Sequence, residues 1–311
     1  MSLRMFTYAI WVKQLYQRIA GNDFFHKTIE AIVPGSSQYI LKIKFPTMLL
    51  SEIWIYPVKS LGGIRVTEAY VEDKGLQYDR RWMVVDENGK FLTQRLNPEM
   101  ALLDVAFDAQ GLVLSHRFNT ENQILVPFQS VSNESLQVRV WDDVVLARTV
   151  CDQADQWLSG QLGKNVRIVE MAAYTEREMN PDNAGPGALV SFADDFPYLL
   201  ISEASLYDLN SKLEERVEMK RFRPNFVISG TGPFAEDSWK NIKIGNLAFE
   251  VAKPCERCVL INVDPKTGIK GREPLKTLST YRKVDKEILF GQNLIGLEKG
   301  TVREGDQIVV L

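Results

Sequence analysis

From residue 49 onward, apolar and polar side chains alternate in short runs, the period-two signature of strands that turn one face to a core. Runs over 49–58 and 64–72 are joined by a turn containing Gly62 and Gly63, and runs over 82–86 and 90–93 flank Asn88-Gly89, a strong hairpin signal. The pattern predicts further short strands over 101–107, 112–115, 136–140 and 144–149. Asp152 then reads as the N-cap of a helix ending near Leu162, with a strand over 166–171 after it. Closely spaced short strands of this kind favour a small barrel or curled sheet.

Residues 174–188 break the pattern. The run Asn180-Pro181-Asp182-Asn183-Ala184-Gly185-Pro186-Gly187 predicts a long loop, of the kind that serves as a lid or a domain linker. Beyond it the spacing predicts a strand over 198–201 and a helix over 203–217 capped by Ser202. Strands over 225–229, 242–244, 247–251 and 259–263 follow, then a short helix opened by Pro274 and running to Tyr281. The C-terminus, with Val302, Asp306, Ile308 and Val310, reads as a strand.

Composition narrows the class. With 311 residues, 45% of them hydrophobic and 25% charged, the chain suits about two globular domains. No apolar run is long enough to span a membrane. A net charge of −3 argues against a nucleic-acid polymer as partner. Three cysteines cannot form a disulfide framework, which suggests a reducing, cytoplasmic setting. His26 and His116 are the only histidines, so a His-rich metal site is excluded. Residues 1–47 differ from the rest: six basic residues stand against two acidic ones. Loose helical spacing over 10–20 reads as an appended amphipathic helix or a loose tail, and Met48, where the clean strand pattern begins, is an alternative start.

Among candidate chemistry, the sharpest local feature is Lys253-Pro254-Cys255-Glu256-Arg257-Cys258. Cys-x-x-Cys can be half a zinc site, a redox pair, a source of one soft thiolate ligand with Lys253 and Arg257 nearby, or two inert structural cysteines. Arg223-Pro224-Asn225 could present a guanidinium fork to an anion, and Asp79-Arg80-Arg81, Thr93-Gln94-Arg95 and Lys59-Ser60 add positive charge and a hydroxyl. Clustered cations in an acidic chain suggest a local anion pocket. Gly230-Thr231-Gly232 lacks the third glycine of a dinucleotide fingerprint, and there is no phosphate-loop motif.

Taken in order, these motifs resemble the MOSC-domain family, most closely its YcbX-like and amidoxime-reducing-component members. The matching stretches are Ile53-Trp54-Ile55-Tyr56-Pro57-Val58-Lys59-Ser60, Asp79-Arg80-Arg81-Trp82, Ser202-Glu203-Ala204-Ser205-Leu206 and Phe222-Arg223-Pro224-Asn225-Phe226-Val227-Ile228-Ser229-Gly230. They continue with Ala235-Glu236-Asp237-Ser238-Trp239, Pro254-Cys255-Glu256-Arg257-Cys258 and Val263-Asp264-Pro265-Lys266-Thr267-Gly268. The resemblance covers about residues 49–311 and leaves 1–47 outside. It implies a mainly β (α+β) chain: an N-terminal MOSC-type β-barrel domain over 48–172, then a MOSC β-barrel domain with a few helices over 173–311.

The resemblance also implies a molybdenum cofactor, Mo-molybdopterin, with Cys258 as metal ligand and Cys255 not. Lys59, Ser60 and Arg80 match positions that bind the pterin phosphate and its neighbours, and Arg223 and Asn225 match further cofactor contacts. Glu256 and Arg257 would pass close to the same group. The chain departs from the amidoxime reducers in two places. Ala193-Asp194-Asp195 stands where they carry Ser-Asp-Thr, so the acid at Asp194 holds and the flanking hydroxyls do not; Asn293 replaces a tyrosine at the cofactor edge. Asp194 is the candidate catalytic residue beside Cys258. The implied reaction removes oxygen as water from small N-hydroxylated bases, amidoximes or hydroxylamines. A non-catalytic cofactor carrier or sulfur-transfer protein is the alternative. Beyond the Cys-x-x-Cys pair only Cys151 remains, so no iron–sulfur cluster can be built in this chain, and electrons are expected from a separate flavin or iron–sulfur reductase.

Overall fold

A computed structural model describes residues 47–132, 134–185 and 187–311, together with the backbone of Ile29–Ile32 and Ile40–Ile43, two strands that pair antiparallel. The expected helix over 10–20 lies outside the described residues. The architecture is mainly β, with short helices at Asp152–Leu162, Glu203–Asn210 and Leu275–Ser279. Among the described residues, no helix is long and apolar enough to cross a membrane.

The largest sheet runs in the order Ile308–Val310, Asn241–Ile244, Leu247–Glu256, Glu287–Gly296, Tyr198–Ser202, Phe226–Ser229, Leu49–Ile55, Ile64–Val66. All its pairings are antiparallel but one: Tyr198–Ser202 and Phe226–Ser229 run parallel, and Glu203–Asn210 lies in the crossover between them. Ser202 starts that helix, its hydroxyl accepting the Ser205 N–H at 3.1 Å. A second sheet joins Ser135–Val140, Asp143–Thr149, Val166–Glu170 and Trp82–Asp86; a third joins Asn119–Pro127, Gly111–His116 and Leu103–Phe107.

Two features of this layout place the site. Leu49–Ile55 buries Leu50, Ile53 and Ile55 in one core with Tyr198, Leu200, Phe226, Phe249 and Leu294, so the first strand belongs to the sheet of the chain's second half. Gly300–Arg303 pairs with Glu68–Glu72, which tightens the same connection. The segment between, 56–60, is drawn toward the other half: the Lys59 N–H donates to the Trp82 carbonyl and the Trp82 N–H to the Pro57 carbonyl.

Several predicted elements take a different form. The run 64–72 is two strands, Ile64–Val66 and Glu68–Glu72. Residues 90–93 make only isolated bridges, because Phe91 pairs with Val85 while Lys90 is taken in parallel by Arg139. The strand predicted over 101–107 is Leu103–Phe107, preceded by the 3-10 turn Pro98–Leu102. Cys151, not Asp152, is the N-cap of Asp152–Leu162, and Asp152 places its charge in the first turn. The helix from Glu203 stops at Asn210, whose side chain brackets the backbone of Val217 with two hydrogen bonds. The C-terminal run is two strands, Gly300–Arg303 and Ile308–Val310. Two long strands went unpredicted, Asn119–Pro127 and Glu287–Gly296, as did the short ones Ile29–Ile32, Ile40–Ile43, Gly75–Leu76 and Lys283–Val284. The predicted strand 259–263 is instead the 3-10 turn Val259–Asn262. Leu247–Glu256 runs on past its predicted end at 251, so Cys255 sits at the end of a strand and Cys258 at the cap of a turn.

Candidate functional site

A cleft of about 440 Å³ opens where the segment 56–60, the loop around Arg95, the loop 193–196 and the turn 253–258 converge. Four of the seven described non-glycine residues with left-handed φ line it: Ser60 (67°), Arg80 (49°), Trp141 (56°) and Arg223 (58°). None is a residue type that favours this region, and such conformations persist only where surrounding contacts impose them.

One wall is cationic. Two guanidiniums lie over the buried ring of Tyr56, Arg80 at 4.5 Å and Arg223 at 4.2 Å. Arg80 donates to the fully buried carboxylate of Asp79 at 2.6 Å, to Asn225 Oδ1 at 3.2 Å and to the Arg223 carbonyl at 3.1 Å. Arg223 donates to the Leu61 carbonyl at 2.6 Å, while its second terminal nitrogen is buried without a partner among the described residues. Burial, then the charge on Arg80, lower the Arg223 pKa to about 10. Burial pushes the Tyr56 phenol up despite both arginines, and its hydroxyl also lacks a partner among the described residues.

Opposite stands Asp194. Lys59, 6% exposed, donates to Asp194 Oδ1 at 2.5 Å and to the Phe192 carbonyl at 2.6 Å. Trp141 Nε1 donates to Oδ1 at 3.1 Å and Arg95 to Oδ2 at 3.2 Å. Desolvation alone would raise the Asp194 pKa; the Lys59 ammonium and its hydrogen bond, aided by Arg95 and Trp141, override it and hold the carboxyl well below the usual carboxylate range. Burial pushes the Lys59 ammonium down, with Asp194 opposing. The backbone under Asp194 is fixed by buried Arg177, which donates to the carbonyls of Ser191, Ala193 and Asp194.

The two thiols have separate partners. Arg95 Nε donates to Cys258 Sγ at 3.2 Å, and Arg257 donates to Cys255 Sγ at 3.1 Å. Burial pushes the Cys255 thiol up against Arg257. Lys253 pairs with Glu256 at 3.3 Å. The sequence reading gave the cations within the motif to the thiolate ligand; the guanidinium on Cys258 comes instead from Arg95, 163 residues away.

Lys59, Ser60, Arg80, Asp194, Asp195, Arg223, Asn225, Glu256, Arg257, Cys258 and Asn293 all line this one cleft, Asn293 reaching the Pro254 carbonyl at 3.5 Å. Arg95, which the sequence reading marks only as one of the clustered cations, and Trp141, which it does not mark, were given no cofactor or catalytic role. Trp141 carried a signal: with Asp142 it forms the two-residue turn between Ser135–Val140 and Asp143–Thr149, a position that demands left-handed φ and selects Asn or Gly over Trp.

Comparison with known families matches residues 47–165 to the MOSC N-terminal beta barrel domain and residues 188–309 to the MOSC domain. Mouse mitochondrial amidoxime-reducing component 1 is 38% identical over 283 residues, covering 84% of this chain and 82% of that protein. The chain belongs to the MOSC-domain family. Human mitochondrial amidoxime-reducing component 1 is 35% identical, with 84% of this chain and 82% of the relative covered. Molybdenum cofactor sulfurase of Arabidopsis thaliana is 34% identical over 80% of this chain, which spans 33% of that longer protein.

The donor set of this MOSC protein is specific about what it can hold. Among the described residues no group of three or more His, Cys, Asp or Glu side chains could bind a metal ion. The cleft offers two thiols, Cys258 bonded by Arg95 and Cys255 bonded by Arg257, beside cations with unused donors, Arg223 and Arg257. A metal fits here only if it brings further ligands of its own on an anionic carrier, which is the chemistry of molybdopterin.

Proposed function

We propose that this chain binds the molybdenum cofactor in the cleft and reduces small N-hydroxylated compounds — bases, amidoximes or hydroxylamines — with electrons from a separate flavin or iron–sulfur reductase. The observation that carries the reading is Cys258, held by Arg95 in a cleft where the Arg223 and Arg257 guanidiniums each keep a buried, unpaired donor. Lys59, Ser60, Arg80, Arg223 and Asn225 would hold the anionic end of the cofactor, Asp195, Glu256, Arg257 and Asn293 its remaining edges, and Cys258 the metal. When bound, the cofactor supplies two-electron oxygen-atom transfer; binding, orientation and proton handling fall to the chain.

The overall step turns an N–OH group into N–H plus water and consumes two electrons and two protons. Asp194, held ionised by Lys59, accepts hydrogen bonds from the substrate N–H and O–H groups and gives no proton at neutral pH. Lys59, its grip on its own proton weakened by burial, is the acid next to that carboxylate, so its ammonium is the proton source for the leaving oxygen while Asp194 orients the substrate. Trp141 and Arg95 keep the carboxylate in place.

The test is metal content together with turnover. Protein made in a cofactor-competent host is expected to carry close to one molybdenum per chain and to reduce benzamidoxime with a chemical donor, but not with NADPH alone. Cys258→Ser should lose benzamidoxime turnover to background, whereas Cys255→Ser should retain it. Likeness to the sulfurase favours the second reading, a carrier or sulfur-transfer protein; transfer of cofactor to an acceptor protein with no benzamidoxime turnover would establish that reading instead.

A further inference from the structure

Beside the cleft lies a second concavity of about 470 Å³. The two share Thr93, Arg95 and Trp141, and what divides them is the Arg95 guanidinium stacked on the indole of Trp141 at 4.4 Å. Its floor is apolar: Phe91 meets Trp141 edge to face at 5.0 Å, and Leu96 is 79% exposed. An isolated leucine on a surface needs no explanation, but one extending an aromatic floor next to a reaction cleft forms a patch.

The rim carries charge the fold does not use. Lys90 and Arg139 are partners in a parallel bridge, so two cations stand side by side on adjacent backbones. Among the described residues neither side chain makes a hydrogen bond or ion pair, and Asp142, the carboxylate that lines the same concavity, is paired with neither. Like charges placed together cost stability, and in a chain of net charge −3 a counter-charge was available to the sequence. An aromatic floor, two unpaired cations above it and a shared wall with the cleft together make a receptor for a flat ring that carries an oxyanion.

We infer that this concavity is a specificity subsite for the far end of the substrate: an aromatic body over Trp141 and Leu96, and a carboxylate or phosphate at Lys90 and Arg139. The inference rests on the proposed reductase reading for the identity of the near end. It makes acidic N-hydroxylated aromatics better substrates than their neutral counterparts.

Binding and turnover test it separately. Titration calorimetry of the purified protein with 2-naphthoate and with 2-naphthyl phosphate should show saturable binding that weakens with added salt. The stronger of the two identifies the oxyanion. Lys90→Gln/Arg139→Gln should weaken that binding by about fivefold, the size of effect expected for solvent-exposed charge pairs, and Leu96→Ser should weaken it as well. In turnover, benzamidoximes bearing a para carboxylate on linkers of increasing length should show at one length a lower KM than their methyl esters. The double variant should abolish that advantage with kcat little changed. Equal KM values for acid and ester at every length, with no naphthoate or naphthyl phosphate binding, overturn the subsite. A rise in KM for a protein electron donor in the double variant, with the small probes still unbound, also overturns it in favour of an acidic partner surface. Binding of the probes by a protein that reduces no N-hydroxylated compound leaves the subsite standing and removes the reductase reading.

Discussion

Two aspartates in this chain are pushed in opposite directions. Asp194 has an ammonium, a guanidinium and an indole N–H on its carboxylate. Asp155 is half-buried with one strong donor, the Ile168 N–H at 2.8 Å, and burial lifts its pKa to about 6. The folded state therefore binds the Asp155 proton more tightly than the unfolded chain, whose aspartates titrate near ~3.9. Stability from this group is gained as pH falls from 7 toward 4 and is missing above pH 6. Asp155→Asn keeps an oxygen for the Ile168 N–H and removes the charge. The expected result is an unfolding free energy from urea titration that is higher at pH 8, by roughly 1 kcal/mol once solvent screening of a half-exposed group is allowed for, and no different from the parent at pH 4. Residue identity was legible in the sequence wherever a site residue lies inside a local motif, as with Lys59, Arg80, Arg223 and Cys258. Arg95 was legible only as one of the clustered cations, not as the partner of Cys258 and Asp194, which lie 163 and 99 positions away; no local pattern records a contact that only the folded sheets create.

At the scale of the element, the turn after the first strand controls the cationic wall. A Cβ on Gly63 would come within 2.3 Å of Tyr56 Cε1 and 2.6 Å of its Cδ1. The ring cannot retreat freely, since it is buried and both guanidiniums lie against it. Gly63→Ala should lower the unfolding free energy read from urea titration by about 1–3 kcal/mol, an overpacking cost, and reduce molybdenum content by moving both guanidiniums. In the helix Asp152–Leu162, a Cβ on Gly160 would meet no described atom within 4 Å, so Gly160→Ala should stabilise by roughly 0.5–1 kcal/mol and leave molybdenum content alone. Asn241–Ile244, whose polar and apolar positions alternate, was read to within one residue, and the continuous apolar run Trp82–Asp86 to the residue. The failures have physical causes. Asn119–Pro127 is an edge strand whose first five residues face solvent, so one face supplies no apolar period. Glu287–Gly296 is a central strand, but Gly291 at φ 85° and a register shift in its pairing with Leu247–Glu256 break the alternation. Val259-Leu260-Ile261 has strand composition, yet it forms the turn that Cys258 caps, and tertiary placement outweighs its propensity.

At the scale of the whole molecule, the cleft is built from both halves of the chain, and so is the larger sheet. Lys59, Arg80, Arg95 and Trp141 come from before the 174–188 segment; Asp194, Arg223 and Cys258 come from after it. Leu49–Ile55 is an interior strand of the larger sheet, antiparallel to Phe226–Ser229 on one side and to Ile64–Val66 on the other. Its inward side chains, with Ala69, Val71 and Leu76, share a core with Tyr198, Phe226 and Phe249. A fragment of residues 173–311 would lose those apolar partners and expose the edge of Phe226–Ser229, with its backbone donors and acceptors unpaired. We therefore expect 173–311 alone to aggregate or to give a collapsed amide spectrum. Supplying residues 47–78 as a separate peptide should restore dispersed resonances by completing the sheet. That reconstituted half should still fail to retain molybdenum, because Arg95 and Trp141, which hold Cys258 and Asp194, remain on the missing part. A well-dispersed, cooperatively melting 173–311 fragment would show that the first strand is an accessory to the barrel and not one of its structural members.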